Sequence, residues 1–199
     1  SKGIRPRFAP NTKGKALYSD TNFQLLGKIV EQLNGKSYAA CIDEQITGPL
    51  GMTGTYLYLD AADTRPRNMY YKDREVHIPL AMTSFGADDG IVTTTSDMLK
   101  FIEAFFAGVL FPSEYLPEMK IWNPIFLPLR AGVGIHLYKL PGIFNYIIPL
   151  PELYGHSGLS GALAYCNPEK GFYIAGTVNQ TAYPSTSFQL ATRLYGNLL

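Results

Sequence analysis

Apolar residues at three- and four-residue intervals predict two helices near the start of this chain of 199 residues. The first apolar stripe covers residues 23–33, and Asn34-Gly35 supplies its stop signal. The second helix is expected from Ser37, and Gly48-Pro49 ends it. The residues that share each face are Phe23, Leu26, Val30 and Leu33 in the first helix and Tyr38, Cys41, Ile42 and Ile46 in the second.

Two further helices are predicted later in the chain. Ser96 is the expected cap of the third, and Gly108 follows its end. The fourth is expected over residues 185–199. The apolar stripes consist of Met98, Phe101, Ile102, Phe105 and Phe106 in the third helix and of Phe188, Ala191, Leu194 and Tyr195 in the fourth.

Strand signals concentrate after the third helix. Two strand-like runs, residues 161–166 and 171–178, are joined by Asn167-Pro168-Glu169-Lys170, which is typical of a β-hairpin. Prolines are dense over residues 112–151, which favours loops around short strands such as Val133 to Tyr138. Residues 51–90 are expected to form a mixture of strands and loops.

This order of elements predicts an α+β domain in which helices flank an antiparallel sheet. A sheet of two or three strands is too small to cover four helices. The pattern is therefore typical of part of a fold, incomplete on its N-terminal side.

Composition and charge exclude several classes of function. The formal net charge is +1, and 17% of residues are charged, which gives no reason to expect nucleic acid or an anionic membrane as partner. No apolar run is long enough to span a bilayer. Cys41 and Cys166 stand far apart among apolar neighbours, so both are expected to be buried free thiols. No metal-ligand or cofactor motif occurs, and we expect neither group.

Tyr18-Ser19-Asp20, just before the first helix, is the first candidate site. A tyrosine here can serve as a general base if a neighbouring cation stabilises its phenolate. The alternative is a buried structural tyrosine. Asp88-Asp89, which might suggest catalytic carboxylates, is interpreted instead as a solvated turn.

Residues 154–161, at the entrance to the hairpin, form the second candidate site. Small residues there let a substrate backbone lie along the strand, and a free strand N–H can stabilise an oxyanion. His156, one of three histidines, sits among these small residues. The alternative is a tight turn that requires its glycines.

Taken together, these elements resemble the serine β-lactamase family, on the class C side that includes penicillin-binding proteins, D-aminopeptidases and esterases. The resemblance spans residues 8–199. The family's Y-x-N element is resembled by Tyr18-Ser19-Asp20, and its Pro-Leu-Gly-Met signature is matched by Pro49-Leu50-Gly51-Met52. A strand followed by a capped helix is resembled by residues 90–98. The family's K-T-G or H-x-G motif falls at His156-Ser157-Gly158, and Asn179 ends the last strand.

The resemblance implies a serine hydrolase that acts on a small-molecule or short-peptide acyl substrate through an acyl-enzyme. Tyr18 is then the proton shuttle, and His156 contributes electrostatics and substrate positioning. The resemblance also assigns substrate and oxyanion contacts to Asp20, Ser157, Gly158 and Leu159. In the oxyanion hole, the N–H of the nucleophilic serine is joined by the N–H of Leu159.

The family's nucleophile belongs to an S-x-x-K motif, and no serine of this chain has lysine three residues later. Thr12-x-x-Lys15 has the spacing but lies in a stretch with glycine and proline. We therefore expect residues 1–199 to be the C-terminal portion of one β-lactamase-like domain, inactive without an upstream segment that carries S-x-x-K.

Two departures from the family pattern bear on the substrate. Asp20 replaces an asparagine, so it accepts hydrogen bonds instead of donating an amide N–H. His156 replaces lysine and is often neutral near pH 7, which weakens attraction for a carboxylate. Both favour an esterase or aminopeptidase-like substrate over β-lactams. The alternative function is that of a non-catalytic protein with the same fold that binds peptide or acyl groups. The resemblance also implies that the protein is periplasmic or secreted.

Overall fold

A computed structural model describes residues 5–10, 12–140 and 151–197. The helices in these residues are α1 (Asp20–Asn34), α2 (Tyr38–Ile42), α3 (Pro79–Met82), α4 (Thr95–Phe106), α5 (Leu116–Met119) and α6 (Ser185–Gly196). The strands are β1 (Tyr56–Leu57), β2 (Met69–Tyr71), β3 (Arg74–Val76), β4 (Ile91–Val92), β5 (Asn123–Phe126), β6 (Leu129–Ala131), β7 (His136–Tyr138), β8 (Leu153–Ser157), β9 (Leu163–Asn167) and β10 (Phe172–Gly176). The proline-containing stretch 141–150 and the last two residues of the predicted fourth helix lie outside the described residues.

The first helix stops where predicted, and the second begins directly after Ser37, as expected. Gly35 ends α1 in a left-handed conformation with φ 64°, and its N–H donates to the carbonyl of Glu31. The side chain of Ser37 accepts from the N–H of Ala40 and so caps α2. The helix then widens into a π-helical turn over Asp43–Thr47, which accounts for the full length predicted from Ser37.

The predicted cap of the third helix is wrong by two residues. Thr94, which is extended at the end of β4, is the true cap, because its hydroxyl accepts from the N–H of Asp97. The carboxylate of Asp97 is buried and accepts from the N–H of Gly54 and the hydroxyl of Thr55. These two long-range bonds fix where α4 begins, and nothing local in the sequence reveals them.

The main sheet is larger than the two or three strands expected. Six antiparallel strands lie in the order β10-β9-β8-β7-β6-β5. The predicted hairpin is confirmed as β9 and β10, with Phe172 opposite Asn167 and Gly176 opposite Leu163. Strand β7 lies within the predicted run Val133 to Tyr138, whereas β5 and β6 contain only four and three residues, which is too short to show an alternating pattern among prolines.

The sheet carries one long helix on each face. Helix α6 packs on the first face, around a core that contains Leu153 and Tyr165. The neighbouring side chain of Tyr154 points to the other face, because successive residues of a strand alternate. There its ring lies 6.1 Å from that of Phe106 on α4. The described residues therefore form an α+β fold with α4 and α6 on opposite faces, as predicted.

The apolar stripe of α1 is an exception to this packing. Within the described residues Gly27 is the buried residue of the helix, and four of its large aliphatic side chains face solvent. These are Leu25, Leu26, Ile29 and Leu33, which are 52–79% exposed. The predicted stripe is thus divided, because Phe23 and Val30 are partly buried whereas Leu26 and Leu33 are exposed.

Two smaller expectations concern the thiols and the membrane. Cys41 and Cys166 are both buried and form no disulfide, as predicted. No helix in the described part of the chain is long and apolar enough to cross a bilayer.

Candidate active site

A cavity of about 560 Å³ lies between α4 and the main sheet. Its floor is the apolar face of α4, and its opposite wall is the end of β8. Tyr18 and the loop that carries Asp88 and Asp89 form part of the rim. The two segments singled out in the sequence thus meet at one cavity, although they stand at opposite ends of the chain.

Tyr18 lies just before α1, next to the candidate His156 and to a second histidine, His136. Its ring centroid is 6.2 Å from that of His156 and 6.4 Å from that of His136. Phe23, one turn into α1, packs 6.1 Å away on another side. The start of the helix therefore holds the Tyr18 ring beside the end of β8, and both line the cavity.

Carboxylates, and not cations, surround Tyr18 in the described residues. Partial burial raises the pKa of its phenol to about 12, and the charges of Asp20, Asp89 and Asp88 add to the rise. The ion pairs found in the described part of the chain involve none of these three carboxylates. The cation that a phenolate base requires is therefore not supplied by the residues described.

The loop with Asp88 and Asp89 is tied to α1 and is not a free surface turn. The side-chain amide of Gln24 donates to the carboxylate of Asp88 at 2.7 Å and to the carbonyl of Phe85. Gly27 lets the loop approach, since a Cβ there would overlap that of Ala87. The interpretation of Asp88-Asp89 as a solvated turn is therefore incomplete, because α1 holds the pair beside Tyr18.

Gln24→Leu is expected to lower the free energy of unfolding by about 1–2 kcal/mol, because the variant keeps the volume of the side chain but loses its donors to Asp88 and Phe85. Urea unfolding measures this change. Gln45→Leu is the matched control, since that amide makes one exposed bond to Asn34. A loss no larger than that of the control would show that the hydrogen bonds of Gln24 to Asp88 and Phe85 do not stabilise the fold.

His136 and His156 form a stacked pair beside Tyr18. Their ring centroids are 4.0 Å apart with an angle of 23° between the planes. Burial lowers the pKa of His156, and burial and then the charge of His156 lower that of His136 to about 4. The site is therefore uncharged at its histidines near pH 7. Sequence reasoning missed His136, because only the pairing of β7 with β8 brings it here.

The low pKa of His136 predicts a loss of stability in acid. An unfolded histidine titrates near about 6.5, so below that pH the unfolded chain takes up a proton that the folded chain refuses. The stability that the folded protein has above about pH 6.5 is therefore lost progressively as the pH falls towards about 4. We expect the free energy of unfolding to fall by on the order of 2 kcal/mol over this range.

His136→Phe is expected to flatten this dependence of the unfolding free energy on pH. Urea unfolding at several pH values between about 7.5 and about 4.5 measures the slope for the wild type and the variant. His77→Phe is the control, because His77 is exposed. Equal slopes for the wild type and His136→Phe would show that His136 does not cause the loss of stability in acid.

The remaining predicted site residues fall into two groups. Ser157 and Gly158 line the cavity with His156, whereas Leu159 and Asp20 lie outside its lining. The side chain of Leu159 is exposed in a turn, which is closed by a hydrogen bond from the N–H of Gly158 to the carbonyl of Ala162. The N–H of Leu159 has no hydrogen-bond acceptor among the described residues. Asp20 is the exposed first residue of α1 and acts on Tyr18 through its charge. Within the described residues, no cluster of three metal-ligating side chains occurs.

Comparison with known proteins places these features in a wider group. Residues 2–195 match the family model described as Beta-lactamase. The chain is 25% identical over 177 residues to PbpX of Bacillus subtilis, which is named as a penicillin-binding protein. It is 29% identical over 94 residues to AmpH of Escherichia coli, which is named as a D-alanyl-D-alanine-carboxypeptidase/endopeptidase. These matches cover 83% and 47% of the chain.

A solved structure shows the same fold. The D-amino acid amidase of Ochrobactrum anthropi SV3 superposes with a TM-score of 0.74 and 25% identity, over 90% of this chain and 57% of the amidase. The matches cover only 43% of PbpX and 24% of AmpH, so the chain spans less than half the length of the curated relatives.

Proposed function

The chain belongs to the β-lactamase family, and we propose that it forms part of a serine hydrolase that cleaves amide or ester bonds through an acyl-enzyme. The convergence of Tyr18, His156, Ser157 and Gly158 on one cavity carries the proposal. A phenol, an imidazole and backbone N–H groups at the end of a strand, around one space, are the groups that acyl transfer needs besides its nucleophile.

We propose that the serine and its lysine come from a segment outside these 199 residues. None of the serines in the sequence has lysine three positions later. Two features of the fold support an added segment. The cavity between α4 and the sheet is open and mostly apolar, and the exposed leucines of α1 would gain about 1.5–3 kcal/mol each if covered.

A lysine in that segment would also complete the environment of Tyr18. Partial burial, with the added charges of Asp20, Asp89 and Asp88, raises the pKa of Tyr18 and keeps the phenol protonated. An ammonium group placed among them would lower the pKa of Tyr18 and let it take the proton of the serine hydroxyl. Tyr18 would then return that proton to the leaving group, which is the role of a proton shuttle.

His156 and the residues that follow β8 would position the acyl group. The uncharged ring of His156 can hydrogen-bond to the substrate without a fixed positive charge. The unused N–H of Leu159 supports an oxyanion contact, together with the N–H of the serine itself. Asp20 and Ser157 would bind the polar parts of the substrate.

The charges around the cleft favour particular substrates. Three carboxylates near Tyr18 and two neutral histidines disfavour a substrate with a carboxylate beside its reacting carbonyl. They suit an ester or amide whose acyl part is neutral or carries an ammonium group, such as a small amino-acid or short-peptide derivative. Family membership also supports the prediction of a periplasmic or secreted protein.

Pre-steady-state kinetics test the proposal. A chromogenic ester is expected to give a burst close to one equivalent of enzyme in the full-length protein, followed by slower turnover. An amino-acid amide is expected to have a higher kcat/KM than a matched substrate with a free carboxylate. Binding of either compound without any turnover would support instead a non-catalytic protein on the same fold.

A further inference from the structure

The stacked histidines form a unit that the proposed reaction does not explain. His136 is 8% exposed, and its Nδ1 is buried without a hydrogen-bond partner in the described residues. His156 lies at the cavity, and its Nδ1 is 3.1 Å from the carbonyl oxygen of Ser157. One ring thus faces the substrate space and the other lies buried against it.

Gly155 accounts for how two rings from neighbouring strands can stack. It stands opposite His136 in the register of β7 and β8, next to His156. A Cβ at Gly155 would overlap the carbonyl oxygen of Ala164 on β9, so that position points along the sheet and not out of it. The backbone is therefore rotated at Gly155, and the usual alternation of side chains shifts there.

Few titratable groups face the pair. Tyr18 approaches both rings from the start of α1, and Tyr165 on β9 is level with His136 across Gly155. The carboxylates that act on Tyr18 are those of Asp20, Asp88 and Asp89. Two imidazoles in contact oppose each other's protonation, because like charges repel strongly at 4 Å in a partly buried site.

We propose that His136 is a positioning residue, which fixes the plane of the His156 ring in the cleft and limits the pair to one positive charge. His156 receives that charge, since it is the ring at the cavity. Burial and the charge of His156 both keep the proton off His136. The pairing depends only on the fold, whereas its effect on catalysis rests on the proposed function.

The pair gives the cleft a substrate preference that changes with pH. At neutral pH the Nδ1–H of His156 donates to the carbonyl of Ser157, which leaves Nε2 as an acceptor for a substrate N–H or ammonium group. A proton taken up in acid turns Nε2 into a donor and adds a positive charge. Carboxylate-bearing substrates are then expected to improve relative to amides as the pH falls.

Histidine titration followed by NMR in the full-length protein, labelled with ¹⁵N histidine, tests the pairing without any assay of activity. His156→Gln removes the opposing charge, so the titration midpoint of His136 is expected to rise by about one pH unit or more. His77, which is exposed, is the internal control. A His136 midpoint that stays unchanged in His156→Gln would overturn the charge limit.

Two variants of His136 separate positioning from simple filling of space. His136→Ala is expected to move the ring signals and the midpoint of His156 towards those of a solvent-exposed histidine, and to lower kcat/KM about tenfold or more. His136→Phe keeps a stacked ring and is expected to retain the wild-type signals of His156. Unchanged His156 signals in His136→Ala would overturn the positioning role.

The pairing and the proposed function fail in different ways. Coupled titration in a protein that forms no acyl-enzyme would support the pair and reject the hydrolase. Independent titration in an active hydrolase would reject the pair alone.

Discussion

Tyr18→Phe is expected to lower kcat/KM of the full-length enzyme by about two to four orders of magnitude, which is the usual contribution of a positioned acid–base group. The substitution removes only the hydroxyl oxygen. The ring can keep its contacts with Phe23 and His156, which are made by ring atoms. The loss therefore reports proton transfer and not packing. It is measured with an ester and an amide substrate under identical conditions.

The control for Tyr18→Phe is Tyr115→Phe, because Tyr115 is exposed and does not line the cavity. We expect that variant to keep its activity within about twofold. The Tyr18→Phe variant should bind substrate with little change, so the loss should appear in kcat. A variant with more than about a third of wild-type kcat/KM would rule out Tyr18 as the proton shuttle.

Gly155→Ala is expected to have the largest effect on stability. A Cβ at this position would overlap the carbonyl oxygen of Ala164 and lie 2.8 Å from the Cα of Tyr165. Both obstacles are backbone atoms of the adjacent strand, which cannot rotate away as a side chain can. We expect a loss of about 3 kcal/mol or more in the free energy of unfolding, measured by urea denaturation.

Gly176→Ala provides the matched control, because it also lies in the main sheet and a Cβ there meets no atom within 4 Å. Its unfolding free energy is expected to change by less than about 1 kcal/mol. If both variants had the same stability, the close approach of β8 and β9 would not be required. The backbone at Gly155 also allows the rings of His136 and His156 to stack. In any Gly155→Ala protein that still folds in part, the two histidines are therefore expected to titrate independently.

Local signals in the sequence were sufficient for the regular elements. The Asn34-Gly35 stop and the Ser37 cap operate within one helical turn, and the hairpin of β9 and β10 is joined by its own turn residues. Contacts between distant segments were not visible in this way. The start of α4 depends on Asp97 reaching Gly54, and strands β5 and β6 are too short to show a period.

In the candidate site too, some residues could be predicted from local motifs and others depend on contacts between distant segments. Tyr18 and His156 stand in recognisable motifs, and the fold brings them to one cavity. His136 has no motif, and its role depends on strand pairing that places Gly155 opposite it. The carboxylates of Asp88 and Asp89 reach Tyr18 because Gln24 clamps their loop, which a reading of neighbouring residues could not reveal.

Intact-mass analysis after treatment with a fluorophosphonate and with a penicillin tests the central claim most directly. We predict a covalent adduct on the full-length protein with the fluorophosphonate, at a serine outside residues 1–199, and no adduct on residues 1–199 expressed alone. The penicillin is expected to react more slowly, given the uncharged histidines. An adduct on any serine of these residues would contradict the claim that the nucleophile lies elsewhere. The absence of any adduct on the full-length protein with both reagents would contradict the acyl-enzyme itself.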